Sequence, residues 1–181
     1  MVVDIGTGDG RAVLRRATAE PRSLVIGVDA AAAATADASR RADRRRIPNA
    51  LFLAAGAEAL PGSPIASRAD LVTVTMPWGS LLRGILGLDE GAAALTGVAA
   101  TLRPGGTLDV LVSVTPTDRV DGLSELTATH EPVVAAAWAA AGLELESMRL
   151  ATRAEVAATG SSWGRRLGDA RTVWRLTGRR R

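Results

Sequence analysis

The chain has 181 residues, 47% of them apolar and 23% charged, which supports one buried core in a single domain and excludes wholesale disorder. All 22 basic residues are Arg, set against 19 acids for a formal charge of +3. With no Cys and one His, disulfides, thiolate nucleophiles and zinc sites are excluded.

Position matters more than the total. Residues 1–164 hold 15 Arg and 18 acids, whereas 165–181 hold 7 Arg and one acid. A basic C-terminal end permits a polyanionic partner. No apolar run approaches the ~20 residues of a membrane span, and the N-terminus has no basic stretch followed by an apolar core. The reading is a soluble cytoplasmic protein working without a membrane or a metal.

Short apolar runs alternate with Ala-rich helical segments, the pattern of an α/β fold with a doubly wound, mostly parallel sheet of about seven strands. Residues 2–5 read as a first strand, 6–10 as a glycine loop and 11–19 as the helix it opens. A second strand at 24–28 ends at Asp29, a long helix takes 31–46, and a third strand at 51–53 follows the Pro48-Asn49 break. The β-branched run 71–76 is a buried central strand that stops at Pro77. Helices follow at 80–86 and 90–102, and the Pro104-Gly105-Gly106 turn leads to a fifth strand at 108–114. Residues 116–130 are a polar connection, 131–141 a helix and 143–150 a sixth strand. Short helices at 152–158 and 162–167 and a strand at 172–177 complete the chain, with 179–181 as a frayed tail.

Between the first strand and its helix lies Asp4-Ile5-Gly6-Thr7-Gly8-Asp9-Gly10. Glycines at 6, 8 and 10 permit positive φ and bring a ligand close to the backbone. The spacing is G-x-G-x-G rather than the G-x-G-x-x-G that seats a pyrophosphate, and Asp4 would repel such a group. A nicotinamide oxidoreductase is therefore disfavoured. Asp4 suits a ligand with a cationic ammonium, Asp29 is placed to accept from ribose hydroxyls, and Ala57-Glu58 lies where an adenine would end. The pattern resembles that of class I S-adenosylmethionine-dependent methyltransferases.

At the carboxyl end of the fourth strand stands Met76-Pro77-Trp78-Gly79-Ser80, with Trp78 able to offer its ring face to a base. Trp163 lies in Ser161-Ser162-Trp163-Gly164-Arg165-Arg166, a second candidate platform flanked by Arg. Trp138 and Trp174 read as core. His130 reads as an exposed loop residue. The cluster Arg40, Arg41, Arg44, Arg45 and Arg46 ends a helix; both a solvated helix end and a contact with RNA remain open for it.

Three runs together, Val3 to Gly10, Met76 to Gly84, and Ser162 to Leu167, resemble the kanamycin–apramycin resistance methyltransferases over nearly the whole chain. The resemblance implies methyl transfer from S-adenosylmethionine to N1 of the decoding-site adenine, position 1408, of 16S rRNA in the 30S subunit, releasing S-adenosylhomocysteine. It implies cosubstrate contacts from Asp4, Gly6, Gly8, Gly10, Asp29, Ala57, Glu58, Met76 and Ser80. It further implies a clamp on the flipped adenine by Trp78 and Trp163 with Ser161 beside it, and rRNA phosphate contacts from Arg165, Arg166 and Arg171. The enzyme is expected to be a monomer. The sequence departs from the family in lacking the N-terminal stretch, with its β-hairpin, that precedes the glycine loop. Two other readings are a small-molecule methyltransferase on the same fold and an RNA-binding module without catalysis.

Overall fold

Every side chain of Val2–Ile5 is buried, as a strand covered on both faces requires, and this segment, β1, lies in the middle of the sheet. The computed structural model describes residues 1–88, 90–160 and 171–181. Around β1 the strands β2 (Val25–Asp29), β3 (Ala50–Ala54), β4 (Ala69–Thr75), β5 (Leu102–Val112), β6 (Leu143–Leu150) and β7 (Trp174–Arg180) take the order β3-β2-β1-β4-β5-β7-β6. The first five are mutually parallel, and β7 runs antiparallel to both β5 and β6. This is the mostly parallel, seven-stranded α/β architecture that the alternating pattern predicts.

Successive side chains sort onto the two faces of the sheet. Val3, Val72, Val74, Leu108 and Val110 share a core with helices α3 (Gly79–Leu86), α4 (Ala92–Thr101) and α5 (Glu131–Ala140). Val2, Val25 and Ala50 pack instead with α1 (Arg11–Ala19) and α2 (Ala32–Arg44). A sixth helix, α6 (Arg153–Ala158), is capped by Thr152, which accepts from the Glu155 amide at 3.2 Å. Trp138 is fully buried and donates its indole N–H to the Ile85 carbonyl at 2.9 Å, joining α5 to α3. Trp174 is 9% exposed and donates to the Leu126 carbonyl at 3.0 Å. Both are core, as expected.

The connection from β1 runs through α1 to β2 on one side, and β4 pairs with β1 on the other. The loops leaving the carboxyl ends of β1 and β4 therefore diverge and open a crevice, the place where open α/β sheets bind ligands.

Three expectations need correction. β5 begins at Leu102 rather than at 108, because Pro104-Gly105-Gly106 is absorbed into a bulge where the β4–β5 register shifts between Ala69 and Leu71. The C-terminal arginines are no frayed tail: β7 continues to Arg180, whose guanidinium donates to Ser67 Oγ and to the Ala100 and Leu102 carbonyls, while Arg179 meets Glu146 at 2.7 Å. His130 is half-buried, and its Nδ1 accepts from the Thr127 amide at 3.2 Å, closing the 3₁₀ turn that feeds α5. The helix expected at 162–167 lies outside the described residues.

Candidate active site

The glycine loop is fixed from the β2 side. Gly6 and Thr7 donate their amides to the Val28 carbonyl at 2.8 and 3.0 Å. Gly8 donates to Asp29 Oδ2 at 2.7 Å, and Ala31 to Asp29 Oδ1 at 2.9 Å. Asp29 thus ties the loop to the end of β2 while each carboxylate oxygen keeps a lone pair for a ligand. A Cβ added at Gly8 (φ +56°) would meet nothing within 4 Å, so the backbone there presents itself to open space. Gly10 (φ +68°) serves differently: a Cβ would sit 2.6 Å from both Ala38 and the Phe52 ring. It lets α2 and β3 press against the start of α1.

Asp4 faces Thr73 in the parallel β1–β4 register, and the Thr73 hydroxyl donates to its Oδ1 at 2.7 Å. Burial pushes the Asp4 carboxyl above its usual range; the Thr73 bond and the Arg16 charge work the other way without cancelling it. A buried carboxylate with one hydroxyl partner favours a cationic group beside it.

The opposite wall is the turn after β4. Met76 holds φ +53°, unusual for a side chain of its size, and donates its amide to the Leu111 carbonyl at 2.7 Å. Trp78 then stands at the start of α3 with 66% of its surface exposed. Ser80, in the first turn of α3, donates to Glu58 Oε1 at 2.5 Å. That bond and the Glu58 backbone amide hold the Glu58 carboxyl below its usual range, so it acts as an acceptor throughout the neutral range.

A cavity of about 530 Å³ runs between these walls, lined by Asp4, Gly6, Gly8, Asp29, Ala57, Glu58, Met76, Trp78 and Ser80 among others. The volume lies within the usual span for a small-molecule site. Every described cosubstrate candidate except Gly10 borders it.

The chain matches, over residues 1–180, the family model described as NpmA: 16S rRNA (adenine(1408)-N(1))-methyltransferase. The chain belongs to this family. A protein named 16S rRNA (adenine(1408)-N(1))-methyltransferase from Streptoalloteichus hindustanus is 38% identical over 191 residues, covering 99% of this chain and 86% of the relative. Among solved structures, a tryptophan-to-alanine mutant of the enzyme of that name from Catenulisporales acidiphilia, with cosubstrate SAM, superposes with a TM-score of 0.84 at 33% identity. That match covers 99% of this chain and 84% of that one. The aminoglycoside resistance methyltransferase NpmB1 gives 0.74 at 36% identity, covering 99% of this chain and 86% of that one.

Within this family member, the residues expected on the acceptor side divide in two. Ser161, Trp163, Arg165 and Arg166 lie outside the described residues. Arg171 is described, and its guanidinium is paired with Asp118. The other described arginines past residue 164 are likewise engaged: Arg175 holds Asp109 through two bonds of 2.9 Å and also meets Glu155, and Arg181 lies 3.9 Å from Glu144. The basic excess at this end is thus largely met by the chain's own acids and carbonyls, a long-range pairing that the local sequence does not display.

Sequence reasoning missed Thr73, which becomes legible only once β1 and β4 are known to be neighbours. For Arg41 it offers only a solvated helix end or a contact with RNA, whereas Arg41 reaches from α2 to donate to the Asp9 carbonyl of the glycine loop. Of the helix-end arginines, Arg40 pairs with Asp37 on its own helix, so two of the five have partners inside the fold. Among the described residues no cluster of His, Cys, Asp or Glu could hold a metal ion, and no helix is long and apolar enough to cross a membrane.

Proposed function

We propose that the chain methylates N1 of the decoding-site adenine of 16S rRNA within the 30S subunit, and thereby confers aminoglycoside resistance. We read the whole chain as one methyltransferase domain acting as a cytoplasmic monomer. The observation that carries this reading is the cavity that joins a glycine loop, the carboxylates of Asp4, Asp29 and Glu58 and an exposed Trp in a member of an rRNA methyltransferase family.

The residues present fit S-adenosylmethionine. Gly8 opens its backbone toward the cavity, the Asp29 carboxylate keeps acceptor capacity for a ribose, and Asp4 offers a buried anion to an ammonium. Glu58, steadied by Ser80, borders the adenine end. When bound, the cosubstrate supplies an electrophilic methyl group on a sulfonium. Adenine N1 carries its own lone pair at neutral pH, so the chain has no proton to remove first. This agrees with a cavity lined by no His and a chain with no Cys. The work of the protein is positioning, which supplies up to ~7–11 kcal/mol of barrier lowering. Trp78 presents a ring face at the cavity mouth for the extruded base, with Trp163 as the second plate and Ser161 beside it. Arg165, Arg166 and Arg171 serve the flanking phosphates.

Primer extension on 16S rRNA from cells expressing the chain tests this directly. Extension is expected to stop at the decoding-site adenine, with resistance to kanamycin and apramycin. Read-through in the presence of folded protein overturns the proposal. Methyl incorporation into free small acceptors but not into 30S subunits establishes the small-molecule reading instead.

A further inference from the structure

Asp4 has a neighbour on each side in the sheet. In the β1–β4 register it faces Thr73, whose hydroxyl donates to it, and in the β1–β2 register it faces Gly27. Paired residues of parallel strands put their side chains on one face, so the glycine leaves room beside the carboxyl. Thr7, from the glycine loop that follows β1, takes that room: a Cβ placed on Gly27 would stand 2.9 Å from the Thr7 Cγ2 methyl. Thr7 is 9% exposed and borders the cavity. Its backbone is tied down, the amide donating to the Val28 carbonyl and the carbonyl accepting from the Gly10 amide at 3.1 Å. Its hydroxyl is not. Thr7 Oγ1 is buried and has no hydrogen-bond partner among the described residues.

A buried hydroxyl that has given up water without a bond in return weakens the fold. This one stands next to a buried carboxylate that has one hydroxyl partner, and near enough to favour its ionised form; Arg16 of α1 acts in the same sense, and Asp29 at the end of β2 in the opposite one. An ammonium beside Asp4 stabilises the charged carboxylate, and a charged acceptor draws donors into shorter, stronger bonds. We infer that Thr7 is a positioning residue for the cosubstrate. Its hydroxyl is the second donor that Asp4 takes when the cosubstrate ammonium binds, and the bond then formed holds the carboxylate in place against that ammonium. The donor left unpaired in the free protein thereby becomes part of the affinity. This rests on the cosubstrate contact proposed above for Asp4.

The test is calorimetric binding of two ligands, S-adenosylmethionine and 5′-methylthioadenosine, which shares its nucleoside but lacks the amino-acid end. The proteins are the full chain, Thr7→Val, Thr7→Ser, Asp4→Asn and the double variant with Thr7→Val and Asp4→Asn, each also followed in a thermal melt. Val keeps the branched shape that packs on Gly27 and removes only the hydroxyl. In Thr7→Val the Kd for S-adenosylmethionine is expected to rise about tenfold, the scale of one bond to a charged group, with the Kd for methylthioadenosine within about twofold of wild type. Without ligand, Thr7→Val should melt no lower than wild type, since the hydroxyl it removes is unpaired. Thr7→Ser, which restores the donor, should recover most of the lost affinity. In the Asp4→Asn background, Thr7→Val should change the Kd by less than about twofold, since Thr7 acts only through that carboxylate.

An unchanged S-adenosylmethionine Kd in Thr7→Val overturns the inference. So does an equal rise for both ligands, which marks a distorted glycine loop. A lower melting temperature for ligand-free Thr7→Val also overturns it, because the hydroxyl is then bonded before the ligand arrives. A wild-type protein that does not bind S-adenosylmethionine, or an Asp4→Asn variant that binds it as tightly as wild type, overturns the proposed contact and this inference together. Affinity lost in Asp4→Asn and kept in Thr7→Val removes the inference alone.

Discussion

Thr73 on β4 donates its hydroxyl hydrogen to Asp4 on β1 at 2.7 Å, across the two strands whose diverging loops open the cavity. That bond only partly offsets the burial that raises the Asp4 pKa. A raised carboxyl pKa means the folded state binds the proton more tightly than the unfolded one. Its stability contribution is full at low pH and is lost as pH rises through the folded-state pKa. Asp4→Asn, neutral at every pH, should therefore melt higher than wild type at neutral pH and converge with it in acid. The same change removes the anion offered to the cosubstrate ammonium, a charge-assisted bond worth ~1.5–3 kcal/mol, so the Kd should rise about 10- to 100-fold. Melts over a pH series and calorimetry check both halves; unchanged affinity refutes the ammonium contact.

Asp29 has two duties, and two substitutions separate them. Asp29→Asn keeps one oxygen for the Gly8 amide but turns its NH2 toward the Ala31 amide and loses the charge; it should lower the melting temperature less than Asp29→Ala, with cosubstrate Kd up about tenfold. Asp29→Ala strips the Gly8 amide of its partner as well, adding ~1–3 kcal/mol of destabilisation. Equal melting temperatures for the two variants contradict the loop-tying role.

The parts legible in the sequence were those governed by neighbours along the chain. Val2–Ile5, Arg11–Ala19 and the glycine loop between them have the limits that the sequence predicts, because an apolar run, glycines and a helix-forming run each declare themselves locally. What escaped were pairings between distant segments. Arg180 reads as a solvated end residue until the sheet brings it to the Leu102 carbonyl. Asp118 reads as loop polarity until β7 returns Arg171 to it. The cavity residues divide the same way: Gly6, Gly8 and Asp29 follow from motif spacing, whereas Thr73 and Arg41 depend on strand order and on the packing of α2 against the glycine loop.

Trp78 is 66% exposed, so Trp78→Ala removes little packing and should change stability by less than about 0.5 kcal/mol. A base stacked on the ring is worth ~1–3 kcal/mol. Methyl incorporation into 30S subunits should therefore fall about 10- to 100-fold while calorimetric cosubstrate affinity stays near wild type, and Trp78→Phe should recover most of the loss. Collapse of cosubstrate binding in Trp78→Ala contradicts the stacking role and assigns the ring to the cosubstrate wall.

Gly97 lies in α4, away from the cavity, yet a Cβ placed there would stand 1.8 Å from the Ala57 carbonyl oxygen. The obstacle is backbone, so it cannot rotate aside as a side chain would. Relief requires α4 to withdraw or the 3₁₀ turn Ala57–Ala59 to shift. The first route costs packing in a core containing Leu95 and Val98, with overpacking of this kind worth ~1–3 kcal/mol. The second moves Ala57 and Glu58, two cavity residues, and strains the 2.5 Å bond from Ser80. Gly97→Ala should accordingly lower the melting temperature and also raise the cosubstrate Kd, although no atom of residue 97 reaches the ligand. A destabilised variant with unchanged Kd shows that α4 yields and the turn stays; an unchanged melting temperature contradicts the close packing itself.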